Sequence, residues 1–265
     1  MKRRRALVLA AVLLLAALLL LAAGDAAAQE IRELASATRP SVVLLRLTEG
    51  GRAVGSGTGF VVQGGLVATN HHVVDRARAV EAVTDDGATH AVAGIVAADA
   101  ANDLALLSVP TLDAAPLPLA APGSVEPGDR VVVIGSPLGL AGTVSDGIVS
   151  AVRPDGLGEA SRVFRTTPIL QITAPISPGS SGSPVLDAEG EVIGVAVAYL
   201  VGGQSLNLAV PTGSLLDLMA RSDLTTLDST FAAAGPAGAW EIARNVGISV
   251  VFFALLVFAY RRMRD

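Results

Sequence analysis

The chain has 265 residues, of which 51% are hydrophobic and 16% charged, and it carries 19 Lys and Arg against 24 Asp and Glu residues. So apolar a composition excludes an intrinsically disordered chain, and the lack of cysteine excludes disulfides, cysteine-ligated zinc and a thiol nucleophile. Residues 29–239 alone carry 11 basic and 21 acidic side chains, and this charge of −10 argues against nucleic acid as a partner because it repels a phosphate backbone.

The amino end has the pattern of an export signal. Basic residues at positions 2–5 precede 18 uncharged residues at 6–23, and three alanines at 26–28 fit a cleavage site before Gln29. The apolar run is longer than that of most signal peptides and equals the shortest membrane-spanning helices. We therefore predict that residues 1–28 are a signal peptide or an N-terminal anchor.

The middle of the chain consists of short runs rich in Val and Ile, separated by glycine and turn residues, a pattern typical of all-β proteins. Twelve runs predict strands, at residues 41–47, 58–62, 66–69, 80–83, 90–96, 104–109, 130–134, 147–152, 169–172, 184–186, 192–198 and 206–210. Turn compositions predict hairpins at Gly64-Gly65, Asp85-Asp86-Gly87, Asp146-Gly147 and Glu189-Gly190. A Pro- and Ala-rich stretch at 110–127 separates two sets of strands, so we predict two six-stranded β-barrels over about 31–118 and 119–211.

The carboxyl end predicts a helix, a linker and a membrane segment. Helical spacing is confined to residues 212–221, and a polar, Ala- and Gly-rich linker is predicted over 222–239. Residues 240–260 would extend about 30 Å as a helix, with an aromatic residue at each end and three arginines after it. We predict a transmembrane helix there and a cytoplasmic tail at 261–265. The alternative is an amphipathic or core helix that closes the domain.

The distribution of charge predicts the orientation of the chain. Basic residues are concentrated at both ends, and the positive-inside rule places the basic flanks of membrane segments in the cytoplasm. The acidic middle is therefore expected at the cell membrane on its extracytoplasmic, or periplasmic, side.

The most specific local sequence is Pro178-Gly179-Ser180-Ser181-Gly182-Ser183-Pro184. Small residues on both sides of a serine allow a tight turn that brings successive N–H groups to one point, as in an oxyanion site. The serine would be a nucleophile if a base lay within hydrogen-bond reach. Taken alone, such a sequence is more often an ordinary loop.

The order of residues along the chain restricts the possible triads. All three histidines lie at or before position 90, ahead of Ser181, which excludes the α/β-hydrolase order. The only aspartate before His71 is Asp25, in the export segment, which excludes the subtilisin order. The order that remains, His–Asp–Ser, is that of the chymotrypsin type, whose site lies between two β-barrels.

Five sequence motifs follow one another along the chain: GSGTGFVV at 55–62, ATNHHVV at 68–74, NDLALL at 102–107, IGSPLGL at 134–140 and PGSSGSP at 178–184. In this order they resemble the HtrA/DegP-like trypsin-type serine proteases. The resemblance covers about residues 31–218 and implies a double β-barrel, endopeptidase activity on polypeptide substrates and no cofactor. We expect no PDZ domain after the barrels, because the 18 residues of the predicted linker are too few for a domain.

The resemblance also implies a set of site residues. His72 matches the general base, Asp103 the carboxylate that orients it, and Ser181 the nucleophile, with Asp99 as the nearest substitute for Asp103. The backbone N–H groups of Gly179 and Ser181 match the oxyanion site.

Further residues are implied less directly. Ala198, Tyr199 and Leu200 match the substrate-residue pocket, with Asn207 nearby, although plain strand packing would also explain them. His71 fills a variable position and is expected to have no catalytic role. His90, in an alternating strand, is expected to be structural, and no metal site is expected because the chain offers no cysteine and no helical partner for the histidine pair.

Two positions depart from the family pattern. Ser180 replaces the aspartate with which digestive trypsin-like enzymes bind a freed amino terminus, so activation by that route is excluded. Ser183 replaces a glycine and is expected to narrow the turn.

Our leading hypothesis is a membrane-tethered serine endopeptidase that acts in protein quality control. The alternatives are a non-catalytic binding protein on the same scaffold and a chaperone-like holder of unfolded chains.

Overall fold

The computed structural model describes residues 29–158, 164, 167–197 and 207–231. Its strands are β1 (Val42–Glu49), β2 (Arg52–Gln63), β3 (Leu66–Thr69), β4 (Ala79–Val83), β5 (Thr89–Ala91), β6 (Gly94–Asp99), β7 (Leu104–Ser108), β8 (Arg130–Gly135), β9 (Thr143–Arg153), β10 (Ile169–Ile172), β11 (Pro184–Leu186), β12 (Val192–Val197), β13 (Asn207–Pro211) and β14 (Ser229–Thr230). The helices are α1 (29–38), α2 (His71–Val74) and α3 (Thr212–Arg221), with 3-10 turns at Arg39–Ser41 and Pro137–Gly139. The prediction of an all-β chain with a short helix after the last barrel strand is confirmed.

The first half of the chain forms an antiparallel sheet in the order β14-β6-β7-β3-β2-β1-β4-β5. Its central strands are apolar on both faces. Because successive side chains point to opposite faces, one set lies in a core that includes Leu45, Val61, Val67 and Leu107. The hairpins at Gly64-Gly65 and Asp85-Asp86-Gly87 join β2 to β3 and β4 to β5, as predicted.

The prediction of a six-stranded barrel is wrong for this half. The predicted strand 90–96 is interrupted, because the N–H groups of Val92 and Ala93 bond to Val80 and Ser108 instead of continuing one ladder. β5 therefore pairs with β4, and β6 pairs with β7 and β14, but no ladder joins β5 to β6. The result is an eight-stranded half-barrel that stays open between β5 and β14.

The second half forms a closed barrel in the order β10-β13-β12-β11-β8-β9, which agrees with the predicted six strands. The hairpin predicted at Asp146-Gly147 is wrong, because both residues lie inside β9 and pair with β8. A Cβ on Gly147 would overlap the backbone of Ala174. The glycine therefore serves the close approach of another segment and not a turn.

A large apolar cluster joins the half-barrel to the barrel. Buried side chains of the half-barrel, among them Phe60 and Leu104, belong to the same cluster as Ile134 and Leu208 of the barrel. α3 adds Leu215 to this cluster, since its apolar face packs on both β12 and β6. Burial of such side chains, each stabilising by about 1.5–3 kcal/mol, holds the two halves together.

The chain returns to the half-barrel after α3, inside the region predicted as a linker. Ser229 and Thr230 form β14, which pairs with β6, and the N–H of Asp228 bonds to the carbonyl of Ile95. A Cβ on Gly94 would overlap the carbonyl of Ser229, so β14 fits only because position 94 is glycine. This contact was not predicted.

Within the described ranges, no helix has the length and apolar character needed to cross a membrane. Both predicted membrane segments, 1–28 and 240–260, lie outside those ranges.

Candidate active site

Three side chains that are far apart in the sequence form one hydrogen-bonded chain at the junction of the two halves. Nε2 of His72 lies 3.1 Å from Oγ of Ser181, and Nδ1 of His72 lies 2.7 Å from Oδ2 of Asp103. The side chain of Asp103 is 8% exposed, whereas that of His72 is 38% exposed. The arrangement brings the predicted base, orienting carboxylate and nucleophile into mutual contact, with the imidazole accessible to solvent.

Paired strands bring His72 and Asp103 together. β3 ends at Thr69, β7 begins at Leu104, and Thr69 pairs with Ala105. The residues just beyond these two strand ends are therefore neighbours in space, although 31 positions separate them in the sequence.

Asp103 adopts a strained backbone conformation. Its φ of +53° lies in the left-handed region, which is uncommon for a residue other than glycine. Its carbonyl accepts hydrogen bonds from the N–H of His71 and from Nδ2 of Asn70, at 3.1 and 3.0 Å, and its Oδ1 accepts the N–H of His72 at 2.8 Å. These bonds stabilise the strained residue, so both carboxylate oxygens of Asp103 are directed at His72.

The turn before Ser181 depends on Gly179. Its φ is +95°, and a Cβ there would lie 2.7 Å from the carbonyl oxygen of Ser136 and 2.9 Å from the nitrogen of Leu138. The carbonyl of Pro178 accepts a hydrogen bond from the N–H of Leu138 at 2.9 Å. Because C=O and N–H point in opposite directions in a trans peptide, the N–H of Gly179 is directed away from Leu138.

The turn after Ser181 depends on Gly182. Its φ is +87°, and a Cβ there would overlap the carbonyl of Thr58. The carbonyl of Ser180 accepts the N–H of Ser183 at 3.0 Å, so the N–H of Ser181 is directed away from Ser183. Both predicted oxyanion donors thus have their orientation fixed by bonds to the preceding carbonyl.

Comparison with known proteins agrees with this geometry. The family described as "Trypsin-like peptidase domain" matches residues 57–195, just over half of the chain. The chain belongs to the trypsin-like peptidase family. The matched range contains all three residues of the hydrogen-bonded chain.

Relatives of this member of the trypsin-like peptidase family include HtrA- and DegP-like serine proteases. It is 35% identical over 198 residues to the probable periplasmic serine endoprotease DegP-like of Brucella suis, a match that covers 72% of this chain and 36% of that protein. It is 34% identical over 187 residues to the anti-sigma-I factor RsgI9 of Acetivibrio thermocellus, covering 70% of this chain and 25% of that protein. The chain thus spans between about a quarter and about half of the length of the curated relatives that it matches.

Solved structures support the same fold. A protease from M. tuberculosis in its active form superimposes with a TM-score of 0.66 at 29% identity, covering 76% of this chain and 89% of that one. This member of the family therefore has an all-β, chymotrypsin-like fold, here with one closed barrel and one half-barrel.

Asp99, the alternative to Asp103 in the sequence, has other partners. Its carboxylate accepts hydrogen bonds from the N–H groups of Ala101 and Asn102 and from Nδ2 of Asn102, and it forms an ion pair with Arg221 of α3. Partial burial opposes its ionisation, but the bonds from Asn102 and Ala101 and the charge of Arg221 together lower the pKa of Asp99 below its ordinary value. Asp99 thus orders the loop that carries Asp103.

The remaining predicted residues either bond to partners outside the triad or lie outside the described ranges. Nδ2 of Asn207 donates to the carbonyl of Ala174 at 2.8 Å, whereas Ala198, Tyr199 and Leu200 lie outside the described residues. His90 contacts Thr111 at 3.0 Å. Among the residues that the structure describes, no group of three His, Asp or Glu side chains is placed to hold a metal ion.

Two residues that contact the serine turn were missed by the sequence analysis. The hydroxyl of Thr58 and the N–H of Ser136 are hydrogen-bonded to each other beside Gly179. Both lie in quoted motifs, GSGTGFVV and IGSPLGL, so a motif match was the available signal. Residue type alone gave no reason to choose them.

Ser183 carries a buried hydroxyl without a partner among the described residues. The residue is 0% exposed, and its Oγ packs against the backbone of Gly135, where a Cβ would overlap it. Substituting Ser183→Ala keeps the Cβ but removes the unsatisfied hydroxyl, so we expect the free energy of unfolding to rise by about 1 kcal/mol. Urea unfolding at an unchanged m value measures this change.

The matched control for Ser183→Ala is Thr212→Val. It removes a buried hydroxyl that donates to the carbonyl of Val192, so it is expected to lower the free energy of unfolding by about 1 kcal/mol. A loss of stability in Ser183→Ala would show that the hydroxyl is satisfied and would refute this interpretation.

Proposed function

We propose that this chain is a serine endopeptidase that hydrolyses peptide bonds of polypeptides outside the cytoplasm. The observation that carries the proposal is the continuous hydrogen-bonded chain from Asp103 through His72 to Ser181, with contacts of 2.7 and 3.1 Å. The contact of 3.1 Å is within the range in which a base activates a serine hydroxyl, and the contact of 2.7 Å lets a carboxylate orient that base. Family membership supports the same reaction class.

The proposed reaction begins when Oγ of Ser181 attacks the peptide carbonyl and Nε2 of His72 takes its proton. The N–H groups of Gly179 and Ser181 stabilise the oxyanion that develops on the carbonyl oxygen. The imidazolium then gives its proton to the leaving amine, and water hydrolyses the acyl-enzyme by the same steps. Asp103 holds the tautomer with hydrogen on Nδ1 and stabilises the positive charge of the ring. Every group that the protein contributes to these steps is a side chain or a backbone N–H of this chain.

We place this activity in a membrane-tethered protein with a quality-control role. Residues 29–221 would form the protease domain and residues 1–28 a signal peptide or anchor. Residues 222–239 would form a linker that adds β14 to the half-barrel, 240–260 a transmembrane helix and 261–265 a cytoplasmic tail. The basic ends and acidic middle support an extracytoplasmic domain, and a relative is described as a periplasmic serine endoprotease. Ala198, Tyr199, Leu200 and Asn207 remain the proposed substrate-binding residues.

A non-catalytic binding role, including chaperone-like holding of polypeptides, is the second candidate. The match to RsgI9 favours it, because that relative is 34% identical over 187 residues and is described as an anti-sigma factor and not as a protease. The two candidates differ in whether Ser181 reacts.

The full-length chain, incubated with a fluorophosphonate probe, is expected to be labelled at Ser181. The labelling needs both the nucleophile and its base, so Ser181→Ala should abolish it and His72→Ala should reduce it to background. Mass spectrometry of the labelled peptide identifies the site. A wild-type chain that is folded, unlabelled and inactive on an unfolded protein would favour the binding role, and suppression of aggregation that persists in Ser181→Ala would support holding.

A further inference from the structure

Thr58 in β2 belongs to the half-barrel, yet its bonds reach the serine turn of the barrel. The residue is 0% exposed. Its hydroxyl donates to the carbonyl of Gly179 at 2.8 Å, and its N–H donates to the carbonyl of Ser181 at 2.8 Å. One residue of the half-barrel therefore holds the carbonyl oxygens of both proposed oxyanion donors.

The direction of the hydroxyl proton of Thr58 is fixed by its surroundings. The same oxygen accepts the N–H of Ser136 at 2.9 Å, which occupies a lone pair and leaves the proton for Gly179. The carbonyl of Thr58 accepts Oγ1 of Thr69 at 2.7 Å. Every polar group of Thr58 is thus hydrogen-bonded, and three of its four bonds go to the barrel.

These bonds complete the control of the two oxyanion donors. The preceding peptide planes are set by the bonds from Leu138 to Pro178 and from Ser183 to Ser180. The N–H of each donor lies in the preceding peptide plane, and the Cα of the donor joins that plane to the following one, so a donor keeps its position only if its following plane is also held. Thr58 bonds to the carbonyl of that following plane in both donors, through its hydroxyl at Gly179 and through its N–H at Ser181. The same two planes are also bonded through the N–H of Ser180, which donates to Ser177, and through the N–H of Gly182, which donates to Ala196.

The space around Thr58 is too small for a different arrangement. A Cβ on Gly182 would overlap the carbonyl of Thr58, and a Cβ on Gly135 would lie 3.4 Å from its hydroxyl oxygen. Interiors so closely packed do not adapt freely to a lost contact. Among the residues that the structure describes, the hydroxyl of Thr58 is the side-chain group that donates to the carbonyl of Gly179.

We infer that Thr58 is a positioning residue for the oxyanion site, so that correct packing of the half-barrel on the barrel is a condition for activity. This inference rests on the proposed peptidase function. The expected role of Thr58 is in stabilising the transition state and not in binding substrate. Thr58 is buried, and it bonds to the carbonyls of Gly179 and Ser181 and not to the N–H groups that would contact the substrate.

Substituting Thr58→Val keeps the shape of the side chain and removes the hydroxyl. We expect kcat on a fluorogenic peptide to fall about 10²-fold with KM changed less than about threefold, because a small misplacement of transition-state contacts has this effect. Thr58→Ser keeps the hydroxyl and should recover most of the activity. The full-length chain is used throughout.

A peptidyl trifluoromethyl ketone distinguishes a loss of oxyanion-site geometry from a loss of protein stability. Its adduct with Ser181 carries an oxyanion, so its Ki should rise about 10²-fold in Thr58→Val and be restored in Thr58→Ser. Thr69→Val is the matched control. It removes a neighbouring buried hydroxyl that bonds to Thr58 but not to the turn, and its Ki should stay within about threefold of the wild type.

An unchanged ketone Ki in folded Thr58→Val, or an equal rise in Thr69→Val, would overturn the inference. If Thr58→Val does not fold, the ketone Ki is measured instead in Thr58→Ala, whose smaller side chain avoids overpacking. An unchanged Ki in that variant would overturn the inference in the same way. If the wild-type chain neither reacts with fluorophosphonate nor binds the ketone, the proposed function and this inference both fail. If the wild type does both, only the role of Thr58 is at issue.

Discussion

Substituting Asp103→Asn is expected to lower kcat about 10⁴-fold while the chain remains folded. Oδ2 of Asp103 lies 2.7 Å from Nδ1 of His72, and Oδ1 accepts the N–H of the same residue. If the amide oxygen accepts the N–H of His72, the NH₂ group faces Nδ1 and favours the wrong imidazole tautomer. In the opposite orientation the NH₂ group faces the backbone N–H, so two donors oppose each other. The measurement is kcat on a fluorogenic peptide, together with circular dichroism to establish folding.

Asp99→Asn is the matched control for this prediction. It makes the same chemical change four positions earlier, at the end of β6, where the carboxylate contacts Asn102 and Arg221 and not His72. We expect kcat to fall less than about tenfold, since only the ordering of the loop is weakened. Equal effects of the two substitutions would mean that the loop, and not the carboxylate of Asp103, determines the rate.

Substituting Gly179→Ala is expected to lower kcat about 10³-fold. The φ of +95° is unfavourable for alanine, and the new methyl group would lie 2.7 Å from the carbonyl oxygen of Ser136. The turn must shift to relieve this contact, which withdraws an oxyanion donor. Rates on the fluorogenic peptide, with the Ki of the trifluoromethyl ketone, measure the loss.

Gly87→Ala is the control for the backbone effect alone. Gly87 has a φ of +86°, but a Cβ there meets no atom within 4 Å, so alanine should reduce stability by about 1 kcal/mol and leave kcat unchanged. If Gly179→Ala affected only stability, as Gly87→Ala should, the proposed role of the turn would be wrong.

Local sequence predicted the strands well where a short apolar run follows a glycine or a proline. Runs such as 66–69 and 169–172 coincide with β3 and β10, since Val, Ile and Leu are buried there on paired strands. The run at 90–96 also reads as one strand, but two of its N–H groups bond to other strands. Asp146-Gly147 has a turn composition, yet Gly147 is required by the approach of Ala174. Contacts between distant segments decided both cases.

The triad of the candidate site was predictable from the sequence, whereas its contact with Thr58 was not. Chain order and motif spacing selected His72, Asp103 and Ser181 because their chemistry restricts the residue types. Thr58 acts through a hydroxyl bond to Gly179, 121 positions away, and a threonine in a glycine-rich strand is chemically ordinary. Only the packing of the two halves identifies its partner.

β14 gives the carboxyl end of the described chain a mechanical connection to the segment that carries Asp103. The last described strand is bonded to β6, and β6 ends at Asp99, directly before the loop with Asp103. A tensile load applied beyond Phe231 would therefore be borne first by the backbone bonds of β6. Stretching or anchoring that end would act on the strand next to the triad before it acted on the barrel from which the chain emerged.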